Sequence, residues 1–178
     1  MISAQHIAET AKHTKLLGTP YSKLDCQALV EAVLKEAGLQ IINYRGSNHM
    51  WRDLVYARFA GIKSSPPGSL AFIVRNDGGE KKRGYNDDMG NATHVAIVLD
   101  DDPDGYVLES TAGGVQISKK ARFTHYGLLK NVDYANDEGG KNNESERPTL
   151  DTIRKLVSIL HDNLDSLEEF LNDIYRNS

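Results

Sequence analysis

Cys26, His94 and Glu109 are the residues of this chain whose types and settings suit nucleophilic attack on a carbonyl. A thiol attacks as its thiolate, and it needs a base within hydrogen-bond reach and a third group to orient that base. Cys26 is the only cysteine, and it falls in the first turn of a predicted helix. Apolar residues recur at Val30, Val33, Leu34 and Ala37, the spacing of one buried face, and Gly38 supplies the stop. The sulfur then sits among unpaired backbone N–H groups at the positive end of the helix dipole, which favours thiolate over thiol. His94 opens the strand-like run HVAIVLD (94–100), where it can reach a helix start packed across the sheet edge. Glu109 lies on the next predicted strand, and a hairpin turn at DDPDG brings it towards His94. A carboxylate there fixes the imidazole tautomer and favours the imidazolium that accompanies a thiolate. The bland alternative is a free cysteine that is simply a small buried hydrophobe.

The elements that must position these groups follow from punctuation and period. Ser3 can cap a first helix, with Ile7, Ala8, Ala11 and Leu16 as its apolar stripe and Gly18 as its end. His6 and His13 lie along it as surface or half-buried residues without a nearby partner in sequence. For the Cys26 helix, Ser22 and Asp25 have the spacing of a capping box, or Asp25 is itself the cap. Trp51, Leu54, Val55 and Arg58 keep helical spacing behind a cap at Ser47 or Asn48, and Trp51 reads as a core anchor.

The breaker cluster SSPPGSL (64–70) changes the period from helical to extended. LAFIVR (70–75), HVAIVLD (94–100), YVLES (106–110) and VQISK (115–119) read as strands joined by tight turns, and GLLKNVDY (127–134) closes the sheet as a last strand. Residues 76–93 read as a polar surface loop, on the substrate side or in solvent and long enough for a lid, without the spacing of a phosphate-cradling or calcium-binding loop. The acidic run at 100–104 is what an ordinary turn requires, so no metal is assigned to it. Residues 136–149 read as a flexible linker. From Leu150 to Ile174 apolar residues alternate spacings of three and four for about three and a half heptads. That pattern predicts either a coiled coil that makes a homo-oligomer or a helix folded back on its own domain.

Composition narrows the function classes. With 178 residues, 39% hydrophobic and a formal net charge of −4, the chain suits one domain with an appendage. Its charge gives no reason to expect nucleic acid or a membrane surface as a partner. The start MISAQHIAETAKHTKLL has no apolar run behind a basic segment, which predicts synthesis in the cytoplasm without a secretory signal. A single cysteine excludes an internal disulfide, and six scattered histidines predict no structural zinc.

The runs PYSKLDCQALVEAVL, PPGSLAFIV, THVAIVLD and YVLESTAGGVQIS resemble the NlpC-type cell-wall cysteine peptidases over roughly residues 15 to 134. The most specific element is Tyr-x(3)-Asp-Cys-x(2)-Leu-Val, followed in order by the Gly-x-Leu and His-Val-x-Ile strands. The resemblance implies a papain-like α+β fold, with N-terminal helices packed on a central antiparallel sheet, over residues 1–135, and the heptad spacing adds a separate C-terminal helix over 150–178. It implies Cys26 as nucleophile, His94 as general base and acid, and Glu109 as the orienting residue. Tyr21, with Asp25 beside it, would hold the substrate or its oxyanion. No cofactor is implied. The expected activity is amide hydrolysis in peptidoglycan stem peptides, with an amidase or acyltransferase on the same fold as a variant.

Three departures stand out. Only Ser22, Lys23 and Leu24 separate Tyr21 from Asp25, the third residue is Glu rather than the frequent His, and the loop 76–93 is long. YRGSN and MWRDLV add a likeness to versions encoded by phages or prophages of Gram-positive bacteria, which implies delivery to the wall by a virion or a holin. The rival expectation is a non-catalytic structural or binding module of a phage particle.

Overall fold

The computed structural model describes residues 1–75, 85 and 87–135. The predicted linker (136–149) and heptad-patterned helix (150–178), and residues 76–84 and 86 of the predicted loop, lie outside the described residues. The fold is α+β: three helices accompany a six-stranded sheet in which every neighbouring pair is antiparallel.

Ser3 starts the first helix, α1 (Ala4–Lys12), because its hydroxyl accepts from the His6 N–H at 3.1 Å. This helix buries Ala4, Ile7, Ala8 and Ala11. It ends at Lys12, well before the expected Gly18, because residues 18 and 19 are drawn away to pair with Val115. The Gly18 N–H donates to the Val115 carbonyl at 2.8 Å, and the Val115 N–H donates to the Thr19 carbonyl at 2.9 Å. The second helix, α2 (Cys26–Glu36), is capped by Asp25 rather than Ser22, with the Ala28 N–H donating to the Asp25 carboxylate at 2.8 Å. It stops where Gly38 adopts φ 87° and the Leu39 N–H closes on the Leu34 carbonyl at 2.9 Å.

The third helical piece departs from expectation. A short helix, α3 (Ser47–His49), runs into a π-helical turn (Met50–Leu54), and a strand begins at Val55 instead of a helix continuing to Arg58. Helical spacing there loses to sheet pairing, because this strand, β2 (Val55–Ala60), finds a complete antiparallel partner at residues 125–129. Arg58 then turns back and donates to the carbonyls of Trp51 (2.5 Å) and Val55 (3.1 Å), satisfying groups the broken helix leaves open. Ser47 and Asn48 are not caps. Their side chains bond Ala92 and Asn91 at the start of the strand that carries His94.

The remaining strands are β3 (Leu70–Arg75), β4 (Asn91–Val98), β5 (Tyr106–Thr111), β6 (Gly114–Lys119) and β7 (His125–Leu129). Strand β4 begins at Asn91, inside the stretch expected to be loop. The sheet order is β2-β7-β3-β4-β5-β6, so the segment expected to close the sheet lies within it. GLLKNVDY is also divided: Asn131, at φ 62°, turns the chain after β7. Val132–Asp133 (β8) then pairs in parallel with Ile2–Ser3 (β1) in a separate two-stranded sheet.

One face of the large sheet packs Leu70, Phe72, Val95, Ile97 and Leu108 against the helices, with Trp51 buried in that layer edge-on to Phe72. The other face carries a smaller cluster of Ala71, Ala96, Val98, Val107, Phe123 and Tyr126. Among the described residues no helix is long and apolar enough to cross a membrane.

Candidate active site

The site is built at a fork in the sheet. Antiparallel rungs join Leu99 to Tyr106 and Ile97 to Leu108, so two residues further along Val95 would meet Ser110. That rung is not made, because β4 and β5 pair only at Ile97 and Val98. The start of α2 occupies the opening. The Val95 N–H is directed to the Cys26 sulfur instead, and the Ser110 hydroxyl donates to the Leu24 carbonyl at 2.5 Å. A ladder N–H lies in the plane of the sheet, so the sulfur it reaches lies close to that plane as well. By strand alternation His94 projects from the face opposite α2, together with Ala96 and Val98. The fork is therefore what lets a thiol on the helical side meet an imidazole from the other side.

The approach of the chain to Cys26 is fixed from β6. Residues 18 and 19 pair with Val115, and Gly114 at φ 92° brings the backbone so close that a Cβ there would lie 2.8 Å from the Thr19 carbonyl oxygen. From Pro20 a turn closes with the Lys23 and Leu24 N–H groups on the Pro20 carbonyl, and Asp25 then starts the helix.

Burial of Cys26 pushes its thiol up, but the His94 hydrogen bond and charge, the Val95 N–H and the Tyr21 hydroxyl together outweigh it. The thiol is held below its ordinary range. The charge on Cys26, then burial, pushes the Tyr21 hydroxyl up, so Tyr21 stays protonated and acts as a donor at neutral pH. The Cys26 backbone N–H also meets the Tyr21 oxygen. A helix-terminal N–H and a phenol thus converge beside the sulfur, and the phenol is the group expected to hold the substrate or its oxyanion. Asp25 accepts the Ala28 N–H at 2.8 Å through one carboxylate oxygen, so it sets the start of α2, and its side chain is exposed beside Cys26.

His94 Nε2 lies 2.7 Å from Glu109 Oε2, which leaves Nδ1 for the sulfur. The ring stacks on Phe123 with centroids 5.8 Å apart, and its strand is anchored by the Ser47 and Asn48 bonds described above. Glu109 is 1% exposed, and both its oxygens are occupied. Ser118 donates to Oε1, and Arg122, from a 3₁₀ turn at Lys120–Arg122, reaches Oε2 and lies 3.3 Å from His94 Nε2. Cys26, His94, Glu109 and Tyr21 thus come together from a helix start, two strands and a turn.

Sequence reasoning missed Ser118 and Arg122. Ser118 had a readable signal, since Val107 pairs with Ser118 and alternation puts Glu109 and Ser118 on one face. Arg122 had none, because it lies in a turn. Among the described residues no group of three or more His, Cys, Asp or Glu side chains is arranged to hold a metal ion. At DDPDG the Asp100 carboxylate accepts from the Tyr106 N–H at 3.1 Å and that of Asp102 accepts from the Asp104 N–H at 2.9 Å, as turn residues do.

No protein-family profile matches this chain, and no curated protein matches it.

Proposed function

We propose that the protein is a thiol hydrolase of the papain-like kind that cleaves amide bonds in peptidoglycan stem peptides. The observation that carries this reading is the unbroken line from the Cys26 sulfur through His94 to a fully engaged Glu109. The Cys26 thiolate attacks the amide carbonyl carbon and a C–S bond forms. The oxyanion is received by the Cys26 N–H and the Tyr21 hydroxyl. The imidazolium of His94 gives its proton to the departing amine as the C–N bond breaks. A water then attacks the thioester, losing its proton to His94, and the acid product leaves with Cys26 regenerated. Thiol hydrolysis by this route would draw on no cofactor.

The substrate class is supported by the resemblance of the Tyr21–Val30 run and the His94 strand to NlpC-type peptidases. Synthesis in the cytoplasm followed by phage-type release would bring such an enzyme to the wall, and residues 150–178 would supply any self-association. Purified peptidoglycan incubated with the protein should yield new amino termini and smaller stem-peptide fragments by mass spectrometry. Cys26→Ala should yield none while keeping the wild-type circular dichroism. Cleavage by the Cys26→Ala variant would exclude the mechanism, and an inactive wild type would exclude the substrate.

A further inference from the structure

We infer that Arg122 is a positioning residue that offsets the charge of Glu109, so that the carboxylate orients His94 without locking it in the charged form. A carboxylate 2.7 Å from an imidazole nitrogen, in a position 1% exposed, attracts positive charge on the ring. An imidazolium held too firmly is a poor acid towards a leaving amine. Arg122 shares the same oxygen, Oε2, and places its cation 3.3 Å from His94 Nε2. Its side chain is 46% exposed, so it can return to water at little cost and is not needed to fill the core. Phe123, next in sequence, stacks on the His94 ring and holds the turn that carries Arg122 against the site. Among the described residues, the charged and titratable groups that meet His94 are Cys26 from α2, Glu109 from β5 and Arg122 from the 3₁₀ turn, with the Tyr21 hydroxyl beyond the sulfur.

This role presupposes the reacting pair of the hydrolase proposed above, on which the inference rests, but it can be measured without that enzyme's substrate. Iodoacetate, an anion, alkylates Cys26 fast only while thiolate and imidazolium coexist, so its rate against pH is bell-shaped. A unit charge at this distance, screened almost as in water, moves a titration by about one pH unit. Arg122→Ala should move the alkaline limb up by about that amount, and Arg122→Lys should leave it near the wild type. Glu109→Gln should move it down, and the double variant Glu109→Gln/Arg122→Ala should return it to within about half a unit of the wild type. Circular dichroism on each variant verifies folding, and Arg122→Lys supplies the test if Arg122→Ala fails to fold. Coincident limbs for Arg122→Ala and the wild type, or a misplaced limb in a folded Arg122→Lys, would overturn the role of Arg122 and leave the hydrolase reading intact. A wild-type rate that only climbs with pH, as a free thiol's does, would overturn both.

Discussion

Removing the Glu109 carboxylate should cost stability and activity together, and its surroundings set how much of each. In Glu109→Ala the Ser118 hydroxyl and the His94 Nε2–H, both half-buried, lose an acceptor at a position only 1% exposed. A buried donor left without a partner costs about 1–2 kcal/mol. The missing methylenes leave a small void, about 1 kcal/mol more. Two terms act the other way: Arg122, half exposed, rehydrates readily, and the cost of burying a carboxylate disappears. The net expectation is a loss of about 2–3 kcal/mol, which at a typical urea dependence moves the unfolding midpoint down by about 1–2 M. Glu109→Gln keeps an oxygen for His94 and should lose about 1 kcal/mol. Amide hydrolysis should fall about a hundredfold in Glu109→Ala, because the imidazole loses its fixed tautomer, and clearly less in Glu109→Gln. Urea titration followed by fluorescence of Trp51, which is buried against the same sheet, reads the stability. A Glu109→Ala midpoint indistinguishable from the wild type would refute the claim that both carboxylate oxygens are engaged.

Three further outcomes follow from named contacts. Tyr21→Phe removes a donor from the Cys26 sulfur, and because Tyr21 is partly exposed the thiolate should appear about half a pH unit higher, measured by iodoacetamide kinetics. Gly114→Ala must either displace the Thr19 carbonyl or leave φ 92°, so it should lose about 2 kcal/mol or more in thermal unfolding and slow alkylation of Cys26 by shifting the chain that leads to it. Lys120 is buried, its Nζ makes 3.4 Å contacts to Ser65 Oγ and the Asp100 carbonyl among the described residues, and burial pulls its amine below the ordinary range against the attraction of nearby aspartates. The unfolded chain therefore binds the extra proton in the window below 10.5, so the penalty is full at low pH and fades as pH rises through that window. Lys120→Met should match or exceed the wild type by about 1 kcal/mol at neutral pH, with the difference shrinking in alkaline urea titrations.

The parts of the site readable from sequence are those fixed by local rules. Asp25 before a 3.6-period apolar run announces a helix start, and that puts Cys26 in the first turn whatever lies around it. Strands β3, β4, β5 and β6 announce themselves by apolar runs between turn residues, which is enough to set His94 and Glu109 on neighbouring strands. What stayed hidden depends on pairing between distant segments. Val55 to Arg58 keep helical spacing, yet β7 offers them a ladder, and no local rule weighs that partner. The early end of α1 comes from Val115, almost a hundred residues away. Arg122 has no periodicity to mark it, and only the folding of a turn over Glu109 gives it a role. The fork that joins Cys26 to His94 is a ladder left incomplete, and a sequence pattern carries no sign of a missing rung.

The central claim is that the sheet opening and His94 keep Cys26 ionised despite its burial, and the pH dependence of Cys26 alkylation by neutral iodoacetamide tests it most directly. The account predicts a midpoint below that of an ordinary cysteine, moving in His94→Ala to the ordinary value or above it, since burial then acts with less opposition. A wild-type midpoint at or above that of a free thiol, unchanged in His94→Ala, would contradict it.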